Sequence, residues 1–156
     1  MSYNHDSLKQ LCKTRSRELY IQEWQLAKDH CPKLDLYNKF KTVFRAELYL
    51  NAITNYKVRV SLTRLRITAH NLAIETGRYD GRERQERICN KCDLNEVEDE
   101  YHFVMKCTLY RDFRHIYINE YFIVNPSIDK FVALLSSTNK NVIQQLGRFV
   151  NIALKL

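Results

Sequence analysis

A mostly α-helical fold, one small helical domain over residues 1–156, is what this sequence predicts, and three observations predict it. Gly occurs three times and Pro twice in 156 residues, too few turn residues for a many-stranded sandwich or barrel. Apolar residues recur at three- and four-residue steps through most of the chain, the period of a helix that buries one face. The chain is 45% apolar and 28% charged, an ordinary globular balance that supports a core and argues against disorder.

Residues 6–30 place Leu8, Leu11, Cys12, Leu19, Trp24 and Leu26 among Lys, Arg, Glu and Gln. They predict one long helix with Asn4 or Asp6 as its N-cap. Its end is set at Cys31-Pro32, because Pro restrains its predecessor and has no N–H to donate. Trp24, Cys12 and Cys31 are expected in the core, the cysteines as small apolar residues. Residues 33–41 are a basic connector or a short helix. Residues 43–53 read as a second helix, with Phe44, Leu48 and Ile53 on its apolar face and Asn55 as its terminator.

From residue 58 the pattern is ambiguous, since Val58, Val60 and Leu62 alternate like a strand. Val58, Leu62, Leu65, Ala69 and Leu72 keep helical spacing for longer, so a helix over 58–74 is expected. Arg59, Thr63, Arg66 and His70 then share a second, mostly basic strip, with His70 solvated. Gly77 reads as the stop and Tyr79-Asp80-Gly81 as a turn. A further helix is expected over 98–122, with Asp99 and Glu100 in a first turn that favours negative charge and Tyr110, Phe113, Tyr117 and Tyr121 as a core stripe. After Pro126 come two shorter helices, 128–135 and 142–154, separated by a polar loop.

The stretch CNKCDLNEVEDEYHFVMKC contains Cys89, Cys92, His102 and Cys107 in the arrangement C-x2-C-x9-H-x4-C. These are zinc-ligand spacings: a C-x2-C pair brings two thiolates to one ion from a tight knuckle, and the returning chain supplies an imidazole and a third thiolate. The expected cofactor is therefore a structural Zn2+ in a CCHC knuckle between helices, within a zinc-binding core region at residues 57–122. Four protein ligands close the tetrahedral shell and leave no position for a reactive water, which excludes hydrolytic zinc chemistry at this set. Five residues span about 500° of α-helix, so His102 and Cys107 cannot share one ideal helical face, and the helix must distort or end near Cys107. The cluster Glu98-Asp99-Glu100 is expected to cap that helix and to orient ligands. His5, His30, His70 and His115 have no ligand partners in sequence.

The formal charge is +7, from 25 Lys+Arg and 18 Asp+Glu, which suits an acidic partner such as nucleic acid. Residues 57–91 hold nine Lys+Arg against four acids, whereas residues 93–100 hold five acids and no base. Arg78, Arg82, Arg84 and Arg87, beside a metal-fixed knuckle, are the expected phosphate contacts, with Arg66 and Arg59 on the basic strip. An equally weighted alternative is that the Arg-Glu-Arg-Gln-Glu-Arg run is a solvated segment with internal ion pairs. Tyr79, Tyr101 and Phe103 are placed to stack on unpaired bases.

Two strings carry a family resemblance. Residues 62–92, LTRLRITAHNLAIETGRYDGRERQERICNKC, and 98–114, EDEYHFVMKCTLYRDFR, resemble the zinc-binding region downstream of the polymerase in non-LTR retrotransposon reverse transcriptases. The matching positions are Arg66, His70, Leu72, Ile74, Glu75, Gly77, Arg78 and Tyr79. They continue with Arg87, Cys89, Cys92, Glu98, Asp99, Glu100, His102, Phe103, Cys107 and Tyr110. The resemblance implies a retroelement-derived carboxy-terminal domain that binds zinc and helps its parent polyprotein hold RNA or target DNA. Polymerase activity does not carry over, because the chain is too short for a complete large polymerase and has no Tyr-x-Asp-Asp for two-metal chemistry. The nine-residue gap also departs from the compact knuckle of retroviral nucleocapsids.

The function expected from the residues is thus a non-catalytic nucleic-acid-binding module. The alternative is a structural or protein-interaction module of a polymerase or host complex. No window approaches the ~20 apolar residues of a membrane span, and the amino terminus lacks the apolar run of a secretory signal. The expected location is the cytoplasm or nucleus.

Overall fold

The computed structural model describes residues 5–156. The protein is mostly helical, and the Cys89, Cys92, His102, Cys107 cluster lies between helices. In chain order the helices are α1 (His5–Asp29), α2 (Asp35–Phe40), α3 (Leu48–Ala52), α4 (Tyr56–Arg66) and α5 (Ala73–Tyr79). A π-helical turn (His102–Lys106) follows, then α6 (Arg111–Tyr117), α7 (Glu120–Ile123), α8 (Ile128–Leu135) and α9 (Lys140–Ala153). Among the described residues the β structure is one isolated antiparallel bridge, Ile88 with Val97.

The core forms around α9, whose Leu146, Phe149, Val150 and Ala153 are buried and which packs on α3, α4, α6 and α8. α4 contributes Val58, Leu62 and Leu65 and α8 contributes Phe131, Leu134 and Leu135. The two main helices approach closely because residue 147 is glycine. A Cβ there would stand 2.8 Å from Ile53 Cδ1 and 2.9 Å from Val58 Cγ1. Phe149 reaches past this contact to the rings of Phe103 and Tyr110, at centroid separations of 5.8 and 6.5 Å, and so ties the main core to the metal region.

α1 runs nearly as expected, but it lies largely outside the core. Lys28 is its only buried residue, Cys12, Leu8, Leu11, Leu19 and Leu26 are exposed, and Cys31 beyond its end is half-buried. Trp24 is half-buried, edge-on to Phe44 at 5.4 Å, where Tyr20 also packs. The core placement of Cys12 is therefore corrected: the apolar residues of α1 are spread around its axis, so no single stripe can dock. Position Asn4 lies outside the described residues, and Asp6 sits inside the first turn.

Several element boundaries also differ from expectation. The helix expected over 43–53 shrinks to α3, with Val43 and Leu48 exposed. Asn55 begins α4, its side chain accepting the Val58 N–H at 3.2 Å, and does not terminate α3. The helix expected over 58–74 breaks after Arg66, where Thr68 takes the left-handed conformation at φ 53°. Gly77 is in the middle of α5, and a Cβ there would meet Arg87 Cγ at 2.7 Å; the turn falls at Asp80-Gly81, with Gly81 at φ 68°. The long helix expected over 98–122 is interrupted at Cys107, as the ligand spacing requires, and again at Ile118. Of its aromatic stripe Tyr110 is buried, Phe113 and Tyr117 are half-buried, and Tyr121 is exposed, because the second break turns α7 away. The helices at 128–135 and 140–153 match the sequence reading closely.

Candidate metal centre

Each half of the site is held by its own backbone. The first half is a hairpin tip, in which the Cys89 N–H donates to Glu96 O and the Glu98 N–H to Arg87 O, both at 2.9 Å. Asn95 takes φ 52° to let the chain return. Lys91 at the tip donates to the Tyr110 hydroxyl at 3.0 Å, which anchors the knuckle on the core. The second half is the π-helical turn. Its Cys107 N–H donates to His102 O at 2.7 Å, a bond to the fifth residue back. This wider turn brings together two ligands that an α-helix would hold about 140° apart. Asp99 Oδ1 accepts the His102 N–H at 2.9 Å. At the other end the buried Arg114 guanidinium donates to Val104 O and Cys107 O, both at 2.7 Å.

These devices gather one nitrogen and three sulfurs within 4.8 Å of one another. Cys89 Sγ lies 3.9 Å from Cys107 Sγ, and Cys92 Sγ lies 3.3 Å from His102 Nε2. A tetrahedral ion with metal–sulfur bonds of about 2.3 Å requires sulfur pairs about 3.8 Å apart and sulfur–nitrogen pairs about 3.5 Å apart. The Cys89–Cys107 and Cys92–His102 pairs match those separations, and with all four donors inside 4.8 Å these residues can hold a metal ion. Nε2 is the ligating atom because His102 Nδ1 faces Glu96 Oε2 at 3.2 Å, so an Nδ1–H donated to the carboxylate leaves the Nε2 lone pair toward the sulfurs. Glu96 also pairs with Lys106, which first of all holds its carboxyl below the usual carboxylate range, against a smaller upward push from burial.

Burial pushes the Cys89 thiol up to about 12, and burial likewise raises Cys107. Burial opposes the Cys92 thiolate too, but the N–H of Leu94, the neighbouring thiols and the N–H of Thr108 outweigh it and lower its pKa. Without an ion the two raised thiols stay protonated at neutral pH, and a cation must displace those protons to bind.

The acidic cluster divides its roles. Asp99 caps the turn that carries His102. Glu98 accepts the Ala73 N–H at 2.7 Å, so it holds the start of α5, and its Oε1 is 3.9 Å from Cys89 Sγ. Glu100 accepts from His70 at 3.0 Å, and the His70 side chain is fully buried; the solvated His70 of the sequence reading is corrected. The acid that orients a ligand is Glu96, which the sequence reading passed over along with Arg114. Glu96 at six residues before His102 carries no local pattern, and the partners of Arg114 are backbone carbonyls, which sequence does not mark.

The expected phosphate-contacting arginines are placed as follows. Arg82 and Arg84 are exposed and paired singly, with Asp80 at 3.3 Å and Asp99 at 2.9 Å. Arg78 pairs with Glu75 at 2.9 Å and lies over the Tyr79 ring. Arg87 donates to Arg82 O and Ile74 O and covers Gly77, so it joins α5 to the knuckle. Arg66 is buried between the Phe40 and Tyr49 rings, bonded to Glu47 and Leu135 O. Arg59 donates to Ile53 O at 2.9 Å. The strip of Arg59, Thr63, Arg66 and His70 is thus not one solvent-facing surface. Among the aromatics Tyr79 is 76% exposed, Tyr101 is half-buried with its hydroxyl on Pro126 O, and Phe103 is fully buried, out of reach of any base.

Comparison of the chain with protein-family models, with curated proteins and with solved structures gives no match. No helix among the described residues is long and apolar enough to cross a membrane. Fold and site therefore define a class, a helical protein with a Cys3His cluster able to hold a metal ion, and the chemistry of that cluster carries the functional reading.

Proposed function

We propose that this protein is a non-catalytic module that binds RNA or DNA phosphates beside a structural zinc ion, derived from the tail of a retroelement RNA-directed DNA polymerase. The observation that carries it is the convergence of Cys89, Cys92, His102 and Cys107 within 4.8 Å. Three sulfurs and one imidazole in a closed tetrahedron favour zinc over hard cations, and the filled shell favours structure over catalysis. Three thiolates and a divalent ion leave one net negative charge, which Lys91 and Arg114 offset at the two ends of the site. The resemblance of residues 62–92 and 98–114 to the region downstream of non-LTR reverse transcriptases supports the origin and the partner. Arg82 and Arg84 beside the knuckle support phosphate contact, since both side chains are exposed and each faces a single carboxylate, a surface pairing that contributes little.

Metal analysis of purified protein with a salt-dependent binding titration tests the reading. One zinc per chain and binding that weakens steeply with salt are expected; zinc without nucleic-acid binding overturns it in favour of a protein-interaction module. One observation favours that second reading, the exposed Leu8, Leu11, Leu19 and Leu26 of α1. Capture of a polymerase or host protein that persists in high salt and without nucleic acid is its signature.

A further inference from the structure

Acidic residues are absent from two stretches of the chain, residues 48–74 and 130–156, while each stretch holds four Lys or Arg. The first contains α4 and the second contains α9, and these two helices pack against each other. They run parallel: Gln144 bonds Ala52 O at 2.8 Å, Gly147 faces Ile53 and Val58, and Asn151 Oδ1 accepts from Ser61 Oγ at 3.2 Å. The Ser61–Asn151 bond marks the outer line of the seam.

At about 100° per residue, Lys57 and Arg64 lie about 40–60° beyond Ser61 on the solvent side of α4. By the same reckoning Arg148 and Lys155 lie about 40–60° beyond Asn151 on the solvent side of α9. All four are exposed, and among the described residues none of their side chains makes an ion pair or hydrogen bond. The parallel register sets Lys57 level with Arg148 and Arg64 level with Lys155. Seven residues separate the levels by about 10 Å, and the helix axes are about 8–10 Å apart. Four unpaired cations thus frame a polar centre made by Ser61 and Asn151.

The arginines before the knuckle differ in kind, because Arg78, Arg82 and Arg84 each already face a carboxylate. A cation without a local partner contributes its whole charge to the field that a polyanion meets, and its contact with phosphate displaces counterions without breaking an existing pair. We propose that the seam of α4 and α9 is a phosphate-backbone-binding face for nucleic acid, with Lys57, Arg64, Arg148 and Lys155 as its contacts. It rests on the nucleic-acid reading above and adds to it a second surface. The polar centre suits a hydrated phosphodiester backbone; a membrane-docking face would set apolar side chains between its cations.

The test is an anisotropy titration of zinc-loaded protein on single-stranded and duplex probes across a range of salt. It compares wild type with Lys57→Ala/Arg64→Ala, with Arg148→Ala/Lys155→Ala, and with Arg82→Ala/Arg84→Ala for the knuckle. Each lost phosphate contact flattens the log–log slope by about 0.7 on single strands and about 0.9 on duplex. Each seam pair is therefore expected to flatten it by about 1.4 or about 1.8. Lys57→Arg and Lys155→Arg are expected to keep the wild-type slope, and circular dichroism and zinc content confirm each fold. Unchanged slopes in both seam pairs, with flattening in the knuckle pair, overturn the seam and leave the functional reading standing. Absence of binding by wild type overturns both. Seam variants that lose anionic phosphatidylserine vesicles but keep nucleic acid overturn the proposal in favour of a lipid surface.

Discussion

Replacement of Glu96 by Ala is expected to weaken metal binding about tenfold, while the fold is retained. The carboxylate does not reach the ion; it fixes the imidazole that does, with Oε2 3.2 Å from His102 Nδ1 and Lys106 holding it from the other side. Removing such an outer partner typically costs about 10–100-fold in affinity. Glu96 is 39% exposed, so water can replace it at Nδ1, and the lower end, about 1.4 kcal/mol, applies. Glu96→Gln keeps an oxygen able to accept from Nδ1–H and is expected to fall between the two. Competition against a chromophoric zinc chelator measures the ratio at fixed pH. Asp93→Asn, an exposed acid in the same loop, separates orientation from charge and is expected to change affinity less than twofold. Equal losses in Glu96→Ala and Asp93→Asn would mean that the loop acts through its field alone, and the orienting role would be refuted.

Arg66→Ala is expected to cost about 3 kcal/mol in urea unfolding, the low end for breaking a buried pair, because Leu135 O loses its donor while Lys41 still pairs with Glu47; a loss below about 1 kcal/mol would show that water fills the gap. Gly147→Ala is expected to be net destabilising by about 1 kcal/mol, since a helix-propensity gain of about 1 kcal/mol is set against overpacking of about 1–3 kcal/mol on Ile53 and Val58. A raised urea midpoint would contradict that close contact. Glu75 is buried; burial pushes its carboxyl up, but its hydrogen bonds with Lys33 and Tyr79 and the charges of Lys33 and Arg78 outweigh this and hold it below the ordinary carboxylate value. Its stabilisation is therefore complete above the ordinary unfolded-chain value and disappears as pH falls through the depressed folded one. The stability gap between wild type and Glu75→Gln, followed by urea titration from pH 7 to pH 3, is expected to be widest at neutral pH and to close in acid; a gap that widens in acid would reverse the sign.

What the sequence made legible was local. Residues three to five apart announced α8, α9 and the four ligands, and the mismatch between a five-residue step and helical geometry announced the break at Cys107, because both are consequences of backbone repeat alone. Long-range partners decided what failed. Residues 58–74 keep a helical period that Thr68 interrupts in order to bury His70 against Glu100, thirty residues on. Gly77 looked like a stop and instead receives the Arg87 side chain. Cys12 looked apolar enough to bury, but α1 offers no continuous stripe to carry it inward.

The same distinction governs charge. Counting Lys and Arg along residues 57–91 points to the knuckle, yet folding supplies Asp99 to Arg84 and Glu47 to Arg66 across 15 and 19 positions. A local excess of cations therefore says little about the field outside the molecule, since acids from elsewhere in the chain close on it. A stretch without acids gains a free positive surface only if the element packed beside it is also without acids. Along the seam marked by Ser61 and Asn151, α4 and α9 meet that condition together, through a contact that neither segment announces alone. Lys57 and Arg148 become neighbours because Gly147 lets the two helices meet, so the packing that builds the core also sets the spacing of the exposed cations. Gly147→Ala should consequently perturb the salt dependence of binding as well as stability, and a wild-type salt slope in the folded Gly147→Ala protein would show that the spacing of the two helices does not set the spacing of the cations.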